Sequence, residues 1–274
     1  MESNKGVVVI TGVDSGIGKS LCELFVKEGY IVIASYLEEN PFADNEKVLA
    51  KKMDLRVEPE IEAFAGFVKE IFNKGTKVNL LINNAGIALG GPIENLPMKI
   101  FREVFEVNFF GLVSLTQKLI PLLLETKGMI VNVGSMAGVI AMPFLAPYVS
   151  TKFALEGFTD SLRRELSPLG VKVVLLEVGG VNTPIWQKAR KQDISFVEKK
   201  YMKSLEEFGK NFIDTAKNAM SPDKAALQIY KVIRKKNPKT SYIIAEGKFL
   251  TFLTTLLPKK FIDGYVRKLF SMYE

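Results

Sequence analysis

Apolar and polar positions along this chain switch repeatedly between two patterns: short unbroken apolar runs, and longer stretches in which apolar residues recur every three or four positions. Runs of four to eight β-branched and aliphatic residues read as buried strands, and the 3.6-residue period reads as amphipathic helix. Gly6 to Thr11 is the first such run; a glycine turn follows, and Ile17, Leu21, Leu24 and Phe25 then recur at helical spacing. The alternation continues through a strand at Ile31 to Ser35, a short strand ending at Asp54, a helix from about Pro59 to Phe72, and a strand at Val78 to Ile82. A long helix from about Ile100 to Leu124, a strand at Met129 to Val133, a helix from Tyr148 to about Leu166 and a strand at Val171 to Val178 come next. Ala225 to Ile233 adds a helix and Ser241 to Ala245 a last strand. Strict alternation of this kind predicts an α/β fold, a doubly wound parallel sheet flanked by helices, whose ligands bind beyond the carboxyl ends of the strands.

Composition narrows the picture. With 274 residues and 47% hydrophobic content the chain can bury one large core, so residues 1–274 are expected to form a single domain, with 184–220 as a helical lid and 247–274 as a C-terminal helical extension. The single cysteine, Cys22, lies on the apolar side of a helical pattern and cannot form an intrachain disulfide, which fits a reducing compartment. The first residues carry no secretory pattern and no apolar run reaches the roughly eighteen residues of a spanning helix, so a cytoplasmic protein is expected. The formal charge of +7 comes without any histidine, which excludes a Ser-His-Asp triad and any histidine metal ligand; no metal site is expected. Lys199, Lys200, Lys203, Arg234, Lys235, Lys236 and Lys239 carry much of the excess, but no aromatic-basic interleaving accompanies them. They read as a solvated face rather than a nucleic-acid surface.

Chemistry gathers around residues 132 to 152. Tyr148 and Lys152 stand four apart at the head of a helix, which puts both on one face roughly 6 Å apart along its axis. A cation near a phenol favours the phenolate and brings it closer to working pH as an acid or base. Ser135 follows a strand and could present its hydroxyl beside them. Near the N-terminus, strand, Gly12-x-x-x-Gly16-Ile17-Gly18 and helix succeed one another in the order that lets backbone approach a pyrophosphate at a helix N-terminus. The second strand ends at Tyr36-Leu37, where a ribose-reading acid or a phosphate-reading base would normally stand; with no cation there or at Ser15, NAD is favoured over NADP. Asn83-Asn84-Ala85-Gly86 ends the fourth strand, and Asn108 interrupts a helix whose interior it suits poorly, so it should bond a carbonyl or water or mark a kink.

Together these motifs resemble the short-chain dehydrogenase/reductase family over roughly residues 6 to 185, with the retinol and hydroxysteroid dehydrogenase-like branch nearest through Asp14-Ser15-Gly16 and residues 160–165. The resemblance implies a Rossmann-type fold and a catalytic set of Asn108, Ser135, Tyr148 and Lys152. In it Tyr148 is the acid/base, Lys152 binds the nicotinamide ribose and lowers the phenol's pKa, Ser135 orients the substrate oxygen, and Asn108 holds a water. It also implies a cofactor site of Gly12, Ser15, Gly16, Ile17, Gly18, Tyr36, Asp54, Leu55, Asn83, Ala85, Gly86, Tyr148, Lys152, Gly179, Val181 and Thr183. Within that site Asp54 meets the adenine amine, Asn83 lines the adenosine side and Thr183 meets the carboxamide. Val178 stands where the family usually carries proline, and Tyr36 and Leu37 leave the ribose contact unassigned. A homodimer or homotetramer is implied.

The C-terminal third bears on substrate. Trp186, Phe196, Tyr201, Phe208 and Phe212 fall in the predicted lid beside the cofactor mouth, and Met142, Phe144, Leu145 and Trp186 are the candidates to line a substrate pocket. Such a pocket suits a lipophilic secondary alcohol or ketone, steroid- or retinoid-like. Reduction of 3-oxoacyl or other small carbonyl compounds is the alternative within enzymes, and a non-catalytic nucleotide-binding sensor or scaffold the alternative outside them. The apolar run Phe249 to Leu257 and the basic-apolar stretch after Pro258 read either as packing against a neighbouring subunit or the lid, or as a peripheral membrane contact.

Overall fold

A computed structural model describes residues 6–247, 252 and 256–270 of the chain. Its first half runs β1 (Val7–Thr11), α1 (Gly16–Lys27), β2 (Ile31–Tyr36), β3 (Val48–Lys52), α2 (Glu58–Asn73) and β4 (Val78–Asn83). Then come α3 (Met98–Phe105), a π-helical turn (Glu106–Phe110), α4 (Gly111–Thr126), β5 (Met129–Val133), α5 (Ala146–Leu166) and β6 (Lys172–Val178). The remainder comprises α6 (Pro184–Arg190), α7 (Lys199–Phe208), α8 (Pro222–Ile233), β7 (Ser241–Ile244) and α9 (Lys259–Leu269). The N-terminal segment from which no secretory pattern was read, and most of the run Phe249 to Leu257, lie outside the described residues.

The seven strands form one parallel sheet in the order β3-β2-β1-β4-β5-β6-β7. Order reverses between β1 and β4, and a crevice opens there at the strands' carboxyl ends. Both sheet faces are covered, which is why the strands read as apolar runs rather than as alternating patterns. Along β1, Val8 and Ile10 join a core with Leu21, Cys22 and Phe25 of α1 and Ile229 of α8. Val7 and Val9 turn to the other face and join Phe64 of α2, Leu115 and Leu119 of α4 and Leu162 of α5. Burial pushes the Cys22 thiol up to about 12, so it is an inert core residue.

The helical run from Met98 to Thr126 corrects one expectation. By length and composition it could cross a membrane, with a mean hydropathy of 1.5 in its most apolar window. Its apolar face instead covers the sheet between α2 and α5. The π-helical turn falls where Asn108 was expected to disturb the helix. Just after it, Gly111 lets α4 approach the loop behind β3 closely: a Cβ there would run into the Leu55 carbonyl oxygen.

Residues 184–220 leave and rejoin the body at one place. Val181 and Met220 form a parallel bridge, and the Asn182 amide donates to the Met220 carbonyl at 3.0 Å. The excursion between them is helical, as expected, and packs over the crevice.

Candidate active site

The crevice is a cleft of ≈ 470 Å³ running from the end of β2 to the head of α6. Its floor near β1 is the turn Gly12 to Ile17, where Gly12, Asp14, Ser15 and Ile17 face the cleft. Gly16 and Gly18 shape this turn from behind. A Cβ on Gly18 would collide with the Gly12 carbonyl and the Asn84 amide, so only glycine lets α1 start this close to β1. Ser15 caps α1 without using its side chain, so its hydroxyl does not occupy the first-turn N–H groups beside the cleft. Donors so placed, with backbone close by, fit a pyrophosphate.

Asn83 and Asn84 have opposite fates. Asn83 is not among the residues lining the cleft: its amide is buried and donates to Thr116 Oγ1 and Asn132 Oδ1, both at 2.9 Å. The expected adenosine-side role is therefore corrected for this side chain, because strand pleating turns residue 83 into the helix layer. Asn84 was overlooked, and it is the one that faces the cleft, its Nδ2 donating to the Thr11 and Gly12 carbonyls at 2.9 and 3.1 Å. Thr11 Oγ1 accepts from the Asn84 and Ala85 amides, each at 3.0 Å, so the glycine turn and the Asn-Asn-Ala-Gly loop are tied together. Ala85 and Gly86 line the cleft beside them.

At the far end, Tyr36 and Leu37 line the cleft with Glu38. Asp14 Oδ1 accepts from the Leu37 and Glu38 amides at 2.9 and 2.8 Å, which places its carboxylate at the end of β2. Lys188 reaches over from α6 to Glu38 at 2.7 Å. Asp54 and Leu55 line the same region, and Arg56 clamps the Asp54 carboxylate while reaching Glu103, each at 2.7 Å. The Arg56 hydrogen bonds hold the Asp54 carboxyl below the usual range. None of Asp14, Arg56 or Lys188 was singled out as a site residue from sequence, because each acquires its place through a partner distant in the chain.

The proton-transfer residues converge at the other end. Tyr148 and Lys152 occupy the first two turns of α5, Ser135 follows β5, and all three line the cleft. Lys152 Nζ donates to the Val133 carbonyl at 3.0 Å and lies 5.6 Å from the Tyr148 ring centre. Burial brings its ammonium down to about 8. Burial also pushes the Tyr148 phenol above its ordinary value, with the Ser135 hydroxyl opposing that rise. This departs from the expectation that Lys152 would set the phenol low: in a dry pocket desolvation outweighs the neighbouring groups.

Asn108 lies one layer further in and does not line the cleft. Its amide is paired with Ile87 on both sides, accepting from the Ile87 nitrogen at 2.8 Å and donating to the Ile87 carbonyl at 2.9 Å. It also donates to Thr151 Oγ1 at 3.2 Å, and Thr151 donates in turn to the Tyr148 carbonyl at 2.7 Å. Asn108 thus bonds a carbonyl, as its place in a helix suggested, and joins the segment just after the Asn-Asn-Ala-Gly loop to the helix that carries Tyr148.

Gly179, Val181 and Thr183 line the cleft below α6. Val178, in place of proline, completes β6 in register with Ile244 of β7. Of the four expected substrate-lining residues, Trp186 alone lines the cleft, its ring edge-on to Tyr148 at 6.0 Å. Phe144 and Leu145 are buried behind it with Met142 packed alongside, in a cluster that takes in Phe208 and Phe212. They correct the expectation by forming the wall that backs Trp186. Phe144 has φ 62°, a left-handed backbone rare for a phenylalanine, and its carbonyl accepts from the Gly91 amide at 2.7 Å. Gln192 pairs with both backbone groups of Gly90, at 3.0 and 2.7 Å, and so staples the helical excursion to that same loop.

A parallel sheet with a glycine turn at its switch point and a buried Tyr-Lys pair beside a serine at its carboxyl edge defines a dinucleotide-dependent oxidoreductase. Residues 6–194 match the short chain dehydrogenase family, and the chain belongs to it. It is 34% identical over 269 residues to the NADPH-dependent 3-dehydrocapnine reductase of Ornithobacterium rhinotracheale, covering 93% of this chain and 94% of that one. It is 32% identical to estradiol 17-beta-dehydrogenase 2 of Mus musculus, covering 95% of this chain and 74% of that one. A short chain dehydrogenase/reductase from Burkholderia phymatum, solved in complex with NAD, shares the fold with a TM-score of 0.79 at 23% identity, over 96% of each chain.

Proposed function

We propose that the protein interconverts a lipophilic secondary alcohol and its ketone, with Tyr148 moving the proton at the substrate oxygen. One observation carries this reading: Tyr148 stands at the border between the dinucleotide cleft and an aromatic wall, its ring against Trp186 and its neighbours Ser135 and Lys152 in the cleft. A nicotinamide dinucleotide, when bound, supplies or takes up the hydride. The turn at Gly12, Ser15 and Ile17 would hold its pyrophosphate, Tyr36, Asp54 and Leu55 its adenosine, Lys152 its second ribose, and Gly179, Val181 and Thr183 its carboxamide. Ser135 would orient the substrate oxygen toward the phenol. The apolar side chains that line the cleft around Tyr148, Trp186 with Ile185, Ile87 and Leu89, favour apolar substrates, since sugars need many polar partners. A lone buried thiol fits a cytoplasmic setting. The test is a comparison of lipophilic secondary alcohols, steroids included, with short polar ones: turnover confined to the polar set would overturn the substrate class.

Charge favours NAD over NADP in this reading. A 2′-phosphate at the end of β2 would face the carboxylates of Asp14 and Glu38, while Lys188 and Arg56 are held by acidic partners. NADH is expected to protect the protein from thermal unfolding at lower concentration than NADPH. The NADPH-dependent relative makes this a sharp comparison, and a preference for NADPH would show that Lys188 or Arg56 leaves its partner for the phosphate.

The two shifted pKa values set a pH profile. Alcohol oxidation needs the phenolate beside the same charged Lys152, and a raised phenol pKa makes that state scarce at neutral pH, so its rate should climb with pH up to about 8 and level off above it. Ketone reduction needs the phenol and the charged Lys152, so it should hold below about pH 8 and decline above it. Rates measured in both directions between pH 6 and 10 check this, and parallel profiles in the two directions would refute it.

A further inference from the structure

The last helix has two different faces. On the inner one, Val266 and Leu269 pack against the aromatic cluster of the excursion, and Phe270 just beyond is fully buried, edge-on to Phe208 at 5.2 Å. Asn211 Nδ2 donates to the Leu269 carbonyl at 3.0 Å. The helix is thereby fixed to the wall that backs Trp186. On the outer edge, Phe261 and Tyr265, one turn apart, are 70% and 68% exposed, and Leu256 and Leu257 in the preceding turn are 63% and 50% exposed. Single exposed apolar residues are ordinary, but here three of the four most exposed large hydrophobic side chains among the described residues fall within ten positions. Lys259, Lys260, Arg267 and Lys268 share the helix with one acid, Asp263.

We infer that this edge docks the protein on an anionic lipid bilayer. Aromatic and leucine side chains enter the headgroup boundary, and the flanking cations meet lipid phosphates on a negatively charged surface. A second copy of the chain fits less well, because a two-fold contact would bring this basic helix against itself in a molecule already carrying +7. The surface stands apart from the catalytic residues, so it does not depend on the proposed reaction. If that reaction is right, docking also sets the aromatic wall close to the phase in which an apolar substrate dissolves, since Phe270, Phe208, Phe212, Trp186 and Tyr148 form one chain of ring contacts.

Flotation of the full chain with vesicles tests this, using phosphatidylcholine alone or mixed with phosphatidylglycerol, at low and high salt. The protein is expected to float with the anionic vesicles only, to be released by salt, and to bind at least about tenfold more weakly as the F261S/Y265S variant. Both side chains are exposed, so the variant should keep its melting temperature and its protection by cofactor, which separates lost docking from lost folding. No flotation with anionic vesicles, or equal flotation of the variant, overturns the inference. So does a dimer that the variant dissolves, because a second copy would then own the surface. An enzyme that floats but turns over no lipophilic alcohol would instead refute the proposed reaction and leave the docking surface standing.

Discussion

Tyr148→Phe is expected to lower turnover in both directions by roughly 10³-fold, within the range that a positioned general acid or base contributes. The argument is geometric. The ring is buried against Trp186 and above Lys152, and phenylalanine preserves that packing while removing only the hydroxyl. Stability should therefore hold or rise slightly, because a phenol whose ionisation is already opposed by burial loses little by leaving. Protection by NADH should persist, since the residues facing the pyrophosphate and adenosine ends lie elsewhere along the cleft. The pair of measurements separates two classes of function. Turnover lost with binding retained marks a catalyst that moves its proton through Tyr148. Turnover within about tenfold of the parent would mean that the proton travels another way, and the sensor or scaffold reading would regain ground if the parent turned nothing over either.

The architecture was legible because a doubly wound sheet repeats one simple rule. Buried parallel strands write themselves as apolar runs, helices as a 3.6-residue period, and the switch point follows from where ligands bind such sheets. The motif residues were legible for a different reason: glycines and adjacent amides at strand ends have few structural uses apart from close approach to something. What failed to show was anything decided by a one-residue phase or a distant partner. Asn83 and Asn84 are chemically identical neighbours, and only the pleat of β4 sends one to Thr116 and the other to the cleft. Lys188 and Glu38 are 150 positions apart, and Gln192 finds Gly90 across 102. Phe144, Leu145 and Met142 had the right composition for a pocket, but a wall and its facing use the same residues. The environment of Tyr148 was misjudged on a matter of magnitude, since spacing places a cation nearby without revealing how dry the site is.

Lys152 supplies the second large effect, in which activity and stability should move in opposite directions. Replacing it with methionine keeps a long unbranched side chain and removes a buried ammonium. Because burial lowers the folded-state value from 10.5 to about 8, the unfolded chain holds this proton more tightly, and the charge opposes folding at every pH below about 8. The shift corresponds to roughly 3 kcal/mol, against which the lost charged hydrogen bond to the Val133 carbonyl takes back about 1.5 kcal/mol. Lys152→Met should therefore melt a few degrees above the parent at pH 7, measured without cofactor, at about 2–4 °C per kcal/mol for a chain of this size. The sign is fixed by what happens on raising the pH. Between about 8 and 10.5 the folded parent has released the proton while its unfolded chain still binds it, so the parent gains stability with pH and the gap to the variant narrows. Turnover should fall by at least about 10²-fold, and protection by NADH should weaken, as the proposed contact with the second ribose is lost. A variant that melts below the parent at pH 7, or a gap that stays constant to pH 10, would show that the ammonium is better solvated or paired than its place beneath Tyr148 implies.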